Sequence, residues 1–394
     1  MNILSVLCDD FMELPLENSD KEINFKSFIS SKFDEYKILL NQINDIDIKD
    51  IRSKSSELIE AIENSIDLYY NGLSHEAYMM FKKGINYINE YLKIISTDAN
   101  FEFRKNYYRA RVDNNKIEYK LNDKTDMFHI PFNKRYLVKN QRYSIAGFPC
   151  LYLGATPYTC WEELGRPRTN EFVVSRIRFL EDIELLNIGM IPYHLKDIIN
   201  KKTIKRCELD IVEENREILV AYLICIPLIL ACSVRSSSKN VNFKEEYIIP
   251  QMLTQWIKDE NQFDGIRYFS TRTYTYSKIN YNLYQNIIIP TKSSNDTGYC
   301  KRLKEKILIT EPVYANEVLE KFKGSIRQFF KKNQELNNET RSLLEEYEGI
   351  NYTIIKEKNN GRIVQSEISE IHYSSSGFSV LEEKLYSINA SKIE

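Results

Sequence analysis

At 394 residues the chain is longer than one small core requires, so two or three structural units are expected. Hydrophobic residues at 43% and charged residues at 28% describe an ordinary globular composition. A net charge of −2 with no basic run excludes the electrostatic footprint of a nucleic-acid binder. The seven cysteines, an odd number with no CxxC spacing, argue against a disulfide framework and a zinc ribbon, and fit a reducing cytoplasm.

The opening MNILSVLCDDFMELP lacks the basic-then-apolar order of a signal peptide, because Asp9 and Asp10 come too early. From Glu22 to about Ser96 apolar residues recur at three/four spacing: Phe25, Phe28, Ile29, Phe33, Tyr36, Leu40 and Ile43, then Leu58, Ile62, Ile66 and Tyr69. Gly72 suits the end of the second helix, and Ser74 is expected to cap a third that carries Tyr78, Phe81, Ile85, Ile88 and Leu92. Three helices so connected can pack as a small bundle. His75, near a helix start, reads as a surface or capping residue.

From about Asn100 the texture changes to short strands mixed with helices. Tyr107–Val112, Cys150–Ala155, Phe172–Ile177, Ile183–Leu186 and Gly265–Ser270 read as strands. Helices are expected from Pro157 through Leu164 and over Pro250–Asp259. The uncharged stretch Ile218–Val234, interrupted by Pro227, reads as a buried helix running into a buried strand at Leu228–Val234 rather than as a membrane span. Beyond Glu311 two helices are expected, one with Val318, Phe322, Ile326 and Phe329, the other over Asn338–Tyr347. Tyr352–Lys356 and Arg362–Ser366 then flank Asn360–Gly361, a type I′ hairpin signal. The chain thus divides into a helical region over 1–99, a single-core α+β domain over 100–311, and a helix-plus-hairpin extension over 312–394. The terminal regions are expected to serve self-association or partner docking, and no membrane partner is expected.

Several polar residues of the middle segment need explaining. Arg109 lies inside the strand YYRARV, and Arg142 opens RYSIAGFPCLYLG. Tyr152 follows Arg142 by ten positions, Glu163 follows Tyr152 by eleven, and Ser270 ends FDGIRYFS. Taken singly, each has an ordinary structural explanation as an edge charge, a core tyrosine or a surface acid. Glu162 stands beside Glu163, about 100° away around a helix, so only one of the two can face any one site. His129 and Arg135 read as core or surface residues, and Cys150 and Cys160 as small buried apolar ones.

The stretch RYSIAGFPCLYLGATPYTCWEELGRP, Arg142 to Pro167, resembles the core motif of the RES family, named for an Arg, a Glu and a Ser. A second block, EEYIIPQMLTQWIKDENQFDGIRYFS, resembles that family's later helix and Gly-Ile strand ending in Ser. The resemblance covers about Phe103 to Pro290 and implies an ADP-ribosyltransferase-like mixed sheet. It implies NAD as substrate, without a metal, and cleavage of the nicotinamide–ribose bond by an NAD glycohydrolase or phosphorylase, often the toxin of a toxin–antitoxin pair. Carried onto this chain, Arg109 and Arg142 hold the dinucleotide, Tyr152 lines the nicotinamide side, Glu163 is catalytic, and Ser270 orients the ribose or the Glu. Arginine suits a pyrophosphate because its planar fork grips two oxygens at once. One carboxylate suffices, since the pyridinium leaving group is already cationic and needs no general acid. Protein ADP-ribosyltransfer and an inactive RES-type binding module are the alternative readings, and a cognate antitoxin or a second copy of the chain is the expected partner.

Overall fold

The computed structural model describes residues 3–7, 13–18, 20, 22–44, 47–97, 106–113, 121, 123–192, 195, 215–236, 241–272, 284–293, 295–319, 356–359, 362–365 and 377–393. The fold is mixed α+β: an N-terminal helical region, then an eight-stranded mixed sheet with further helices packed on it. Of the expected helix carrying Val318, Phe322, Ile326 and Phe329 only the first turn, 316–319, is described, and it is helical; its remainder and the expected helix over Asn338–Tyr347 lie outside the described residues.

A short helix, α1 (Ile3–Val6), precedes α2 (Phe25–Leu40), α3 (Lys49–Tyr70), α4 (Ser74–Tyr87) and α5 (Asn89–Thr97). Asn24 caps α2 by accepting from the Ser27 amide, and Gly72 takes the left-handed conformation just past α3 (φ 79°). Two details differ from expectation. Ser74 is the first helical residue rather than the cap, and the third apolar run breaks at Ile88 into two helices. The apolar stripes of these helices bury Phe33, Tyr36, Ile62, Ile66, Phe81 and Ile85 in a core that continues without interruption into the strand residues Ile266 and Ile288.

That shared core is organised around α7 (Arg216–Cys232), which is buried on nearly every side. The strand expected at Leu228–Val234 does not form. The helix runs straight through Pro227, and only Val234 bridges, to Leu16. Proline lacks the N–H that would satisfy the carbonyl four residues earlier, which is that of Leu223. The Tyr36 hydroxyl of α2 donates to this carbonyl instead, so a residue 187 positions away repairs the helix. Tyr36→Phe is therefore expected to cost about 1–3 kcal/mol, the penalty for a buried unsatisfied carbonyl. In a Pro227→Ala background, where the backbone N–H is restored, the same change is expected to cost little, a coupling that a double-mutant cycle on urea midpoints measures.

The sheet runs in the order β4 (Leu185–Asn187), β5 (Gly265–Phe269), β6 (Gln285–Pro290), β2 (Cys150–Gly154), β1 (Asn106–Val112), β3 (Phe172–Phe179), β7 (Ile307–Ile309), with β8 (Val313–Tyr314) also on β3. The β4–β5 pair is parallel and the rest are antiparallel. Registers between β2 and β6, and between β1 and β3, extend along the strands, whereas β1 and β2 meet through Tyr108 opposite Gly154. The sheet therefore splays between β1 and β2. At the junction α6 (Pro157–Glu163) lies directly on the strand end. A Cβ on Gly154 would sit 2.7 Å from the Cys160 sulfur, and that thiol donates to the Tyr108 carbonyl at 3.2 Å. Glycine is required there by proximity.

Two further helices, α8 (Ile248–Asp259) and α9 (Lys301–Lys306), complete the central part. β9 (Lys356–Asn359) and β10 (Arg362–Gln365) pair antiparallel with Arg362 opposite Asn359, flanking the two residues expected to form the hairpin turn, which lie outside the described set. The last helix, α10 (Gly377–Ser387), packs against its own chain. Phe378 sits 5.3 Å from the Tyr158 ring and 5.6 Å from Trp161, both on α6. Glu382 accepts from the Tyr108 hydroxyl at 2.7 Å, and Arg176 of β3 donates to the carbonyls of Leu385 and Ile388. Among the described residues no helix is long and apolar enough to cross a membrane.

Candidate active site

Helix α6 starts where the sequence places it. Thr156 caps it by accepting from the Thr159 amide at 3.1 Å, and Pro157 supplies the first turn without a wasted N–H. Its end is locked by Glu162, which is buried. Tyr158 donates to Glu162 Oε1 at 2.6 Å, and Arg166 Nε lies 3.0 Å from Oε2. This holds Arg166 in the left-handed region at φ 61°, beside Gly165 at φ 79°. Glu162 thus points into the packing of α6, and Glu163, one position on, points towards the sheet.

The sheet places a row of residues under Glu163. Tyr268, Asn286, Gly154 and Tyr108 are register partners across β5, β6, β2 and β1 and so share one face. Gly154 leaves room for the helix, and Asn286 Nδ2 donates to Glu163 Oε1 at 2.8 Å. Arg272, just beyond β5, brings its Nε to 3.6 Å from Glu163 Oε2. Ser270 is fully buried, and its Oγ accepts from the Arg272 amide at 3.2 Å, so it connects to Glu163 through Arg272.

One row along the same face, Tyr152 stands opposite Ile288, and its hydroxyl donates to Ser144 Oγ at 3.0 Å. The Tyr143 ring lies 4.4 Å from that of Tyr268 at a 40° tilt. Tyr268 thus packs on Tyr143 and pairs with Asn286 across β5 and β6. Burial first, then the Glu163 carboxylate, hold its phenol far above the usual range, so it remains a neutral hydrogen-bonding group.

Arg109 enters at the split between β1 and β2, donating from Nη1 to the Tyr152 carbonyl at 3.0 Å. Its Nε is buried and has no hydrogen-bond partner among the described residues. Burial, then the nearby Arg111 cation, push it down to about 9, which marks a guanidinium whose charge is poorly compensated. Arg142 is turned another way. It donates to the carbonyls of Val234 (2.8 Å) and Cys232 (3.4 Å) past the end of α7, and its guanidinium lies 5.1 Å over the Tyr247 ring. Its hydrogen bonds join α7 to the segment carrying Tyr143 and Ser144. On this face the structure gathers Glu163, Asn286, Tyr152 and Tyr268; Arg109, next to Tyr108 on β1, belongs to the other face, and Arg142 and Ser270 stand at the margin.

Tyr268, Asn286 and Arg272 were not singled out from the sequence. Asn286 was legible in principle, as a polar residue entering the apolar strand run Ile287–Ile289. His129 is a core residue, fully buried. Its Nδ1 bonds the Ile130 carbonyl at 2.8 Å and its Nε2 accepts from the Cys300 amide at 2.9 Å, so the ring must be neutral. Burial, with the Arg109, Arg111 and Arg135 cations, pushes it down to about 4. Its contribution to stability is therefore complete above the unfolded value of about 6.5 and is lost as pH falls through the folded value, about 3 kcal/mol in all. Urea midpoints should fall between pH 7 and 4 for the unaltered chain, and fall less steeply for His129→Asn. Arg135 donates to the Gly147 carbonyl, and Cys150 and Cys160 are buried free thiols.

Fold and site together define an α+β protein in which a mixed sheet holds one carboxylate through an asparagine on a face that also carries buried tyrosines. No protein-family model matches the chain, and no solved structure matches it. The chain is 34% identical over 321 residues to the Bacillus subtilis (strain 168) protein named "Putative toxin YopC", an alignment that covers 79% of this chain and 70% of that protein. It belongs to the YopC family.

Proposed function

We propose that this protein is an NAD-consuming toxin with a RES-type, ADP-ribosyltransferase-like domain that cleaves the nicotinamide–ribose bond by hydrolysis or phosphorolysis. The observation that carries the reading is the single Glu163 carboxylate held at 2.8 Å by Asn286 on a sheet face that also carries Tyr152 and Tyr268. The Glu163 carboxylate suits a ribose that gains positive charge as its base departs, and hydrogen bonds to ribose hydroxyls would fix the sugar against it. Tyr152 and Tyr268 offer flat faces to a nicotinamide ring. The name of the Bacillus subtilis relative supports the toxin role.

The test is product analysis of NAD incubated with the purified chain, with and without inorganic phosphate. Nicotinamide with ADP-ribose marks hydrolysis, and nicotinamide with ADP-ribose 1″-phosphate marks phosphorolysis. Label transferred from NAD to protein would replace both with ADP-ribosyltransfer, and intact NAD would overturn the reading.

A further inference from the structure

We infer that Asn286 is the positioning residue of Glu163: its side-chain amide fixes one carboxylate oxygen so that the other is presented to substrate. The inference rests on the NAD-cleaving reading for its consequence, but its geometry stands alone. Asn286 is 3% exposed, and β6, the strand that carries it, is buried along its length. Its backbone is held by pairing with Gly154 on one side and Tyr268 on the other. The side chain therefore projects from a rigid support, and its Nδ2 meets Glu163 Oε1 at 2.8 Å.

Glu163 needs such a support. It is the last residue of a helix of only seven residues, its side chain is 30% exposed, and its other oxygen lies 3.6 Å from the exposed Arg272. A carboxylate on such a helix end can rotate among several rotamers, and a donor on a central strand selects one of them. An amide suits this role because it donates at every pH and adds no charge beside the acid. An aspartate at 286 would have the same shape with the opposite effect on the neighbour.

Asn286→Ala is expected to lower kcat for nicotinamide release by up to about a hundredfold, as misplacement of a reacting group does, with KM and the calorimetric Kd for NAD changed by less than about twofold. Asn286→Asp supplies a readout that a packing role would not move. Among the described residues the titratable groups beside position 286 are Glu163 from α6, Tyr268 from β5 and Arg272 beyond it, and burial keeps the Tyr268 phenol neutral. A second carboxylate against Glu163 abolishes the donor at neutral pH, whereas one shared proton restores it in acid. The activity of Asn286→Asp relative to the unaltered chain should therefore rise as pH falls. Unchanged kcat in Asn286→Ala, a rise in KM alone, or an Asn286→Asp profile parallel to that of the unaltered chain would each overturn the inference.

Failure of the NAD reading itself shows separately, as no nicotinamide from the unaltered chain. The pairing then has a measurement that needs no turnover. The unfolding midpoints of Glu163→Ala, Asn286→Ala and the double variant are non-additive if the two side chains hold one another, and additive midpoints refute the contact.

Discussion

Glu163→Gln should reduce nicotinamide release at least a hundredfold while leaving the melting temperature within a few degrees of the unaltered chain. Removal of one preorganised electrostatic group from a reaction centre costs about a hundredfold to a thousandfold. The amide keeps the shape and an oxygen acceptor for Asn286, but not the negative charge that a departing pyridinium leaves the ribose needing. Expression of the variant should also relieve growth arrest if NAD consumption is the toxic act. The neighbouring substitution gives the opposite pattern. Glu162 is buried between the Tyr158 hydroxyl and Arg166, and Arg166 depends on it to hold its left-handed backbone. Glu162→Gln should lower stability by about 1–3 kcal/mol, discounted because Arg166 is partly exposed, and should reduce activity only as far as α6 loosens. Thermal melts and nicotinamide assays on the two variants distinguish the carboxylates. Normal turnover in Glu163→Gln would remove it from the chemistry.

Phe378→Ala should destabilise the chain by about 3–5 kcal/mol. The ring is 1% exposed and wedged against Tyr158 and Trp161, the side chains that set α6 on the sheet. Its loss opens a cavity directly behind the helix that presents Glu163. Nicotinamide release should therefore fall at temperatures where the chain is still folded, and Phe378→Leu, which fills much of the space, should recover most of both losses. Urea unfolding of the two variants provides the stability measurement. An α10 serving only as a docking segment would leave both quantities unchanged.

The legible parts of the sequence were those whose cause is local. Thr156 and Pro157 announce α6 because capping and proline chemistry act within one turn, and CLYLG and GIRYF read as strands because they are apolar and bounded by turn residues. The unreadable parts depend on residues far away. Pro227 looked like the end of a helix, and nothing near it shows that Tyr36 supplies the missing hydrogen bond. Arg142 reads as a phosphate-gripping residue from its motif, yet two of its donors are directed at carbonyls ninety or more positions downstream. Tyr268 was hidden for the same reason: a tyrosine in an apolar strand is ordinary until register sets Asn286, the donor to Glu163, beside it. The C-terminal helix α10 was not expected from the sequence, and its partners, Tyr108, Tyr158, Trp161 and Arg176, lie some 200 or more positions earlier.

The wrapping of α7 by the N-terminal helices bears on how such a chain can change over generations. A helix that is apolar on every side survives only with its sheath, and the sheath here includes a hydroxyl matched to one carbonyl. The stretches around residues 36 and 227 are coupled through that bond, so a change at one alters what the other tolerates. The N-terminal helices are thus part of the central core, although their texture resembles that of an added module.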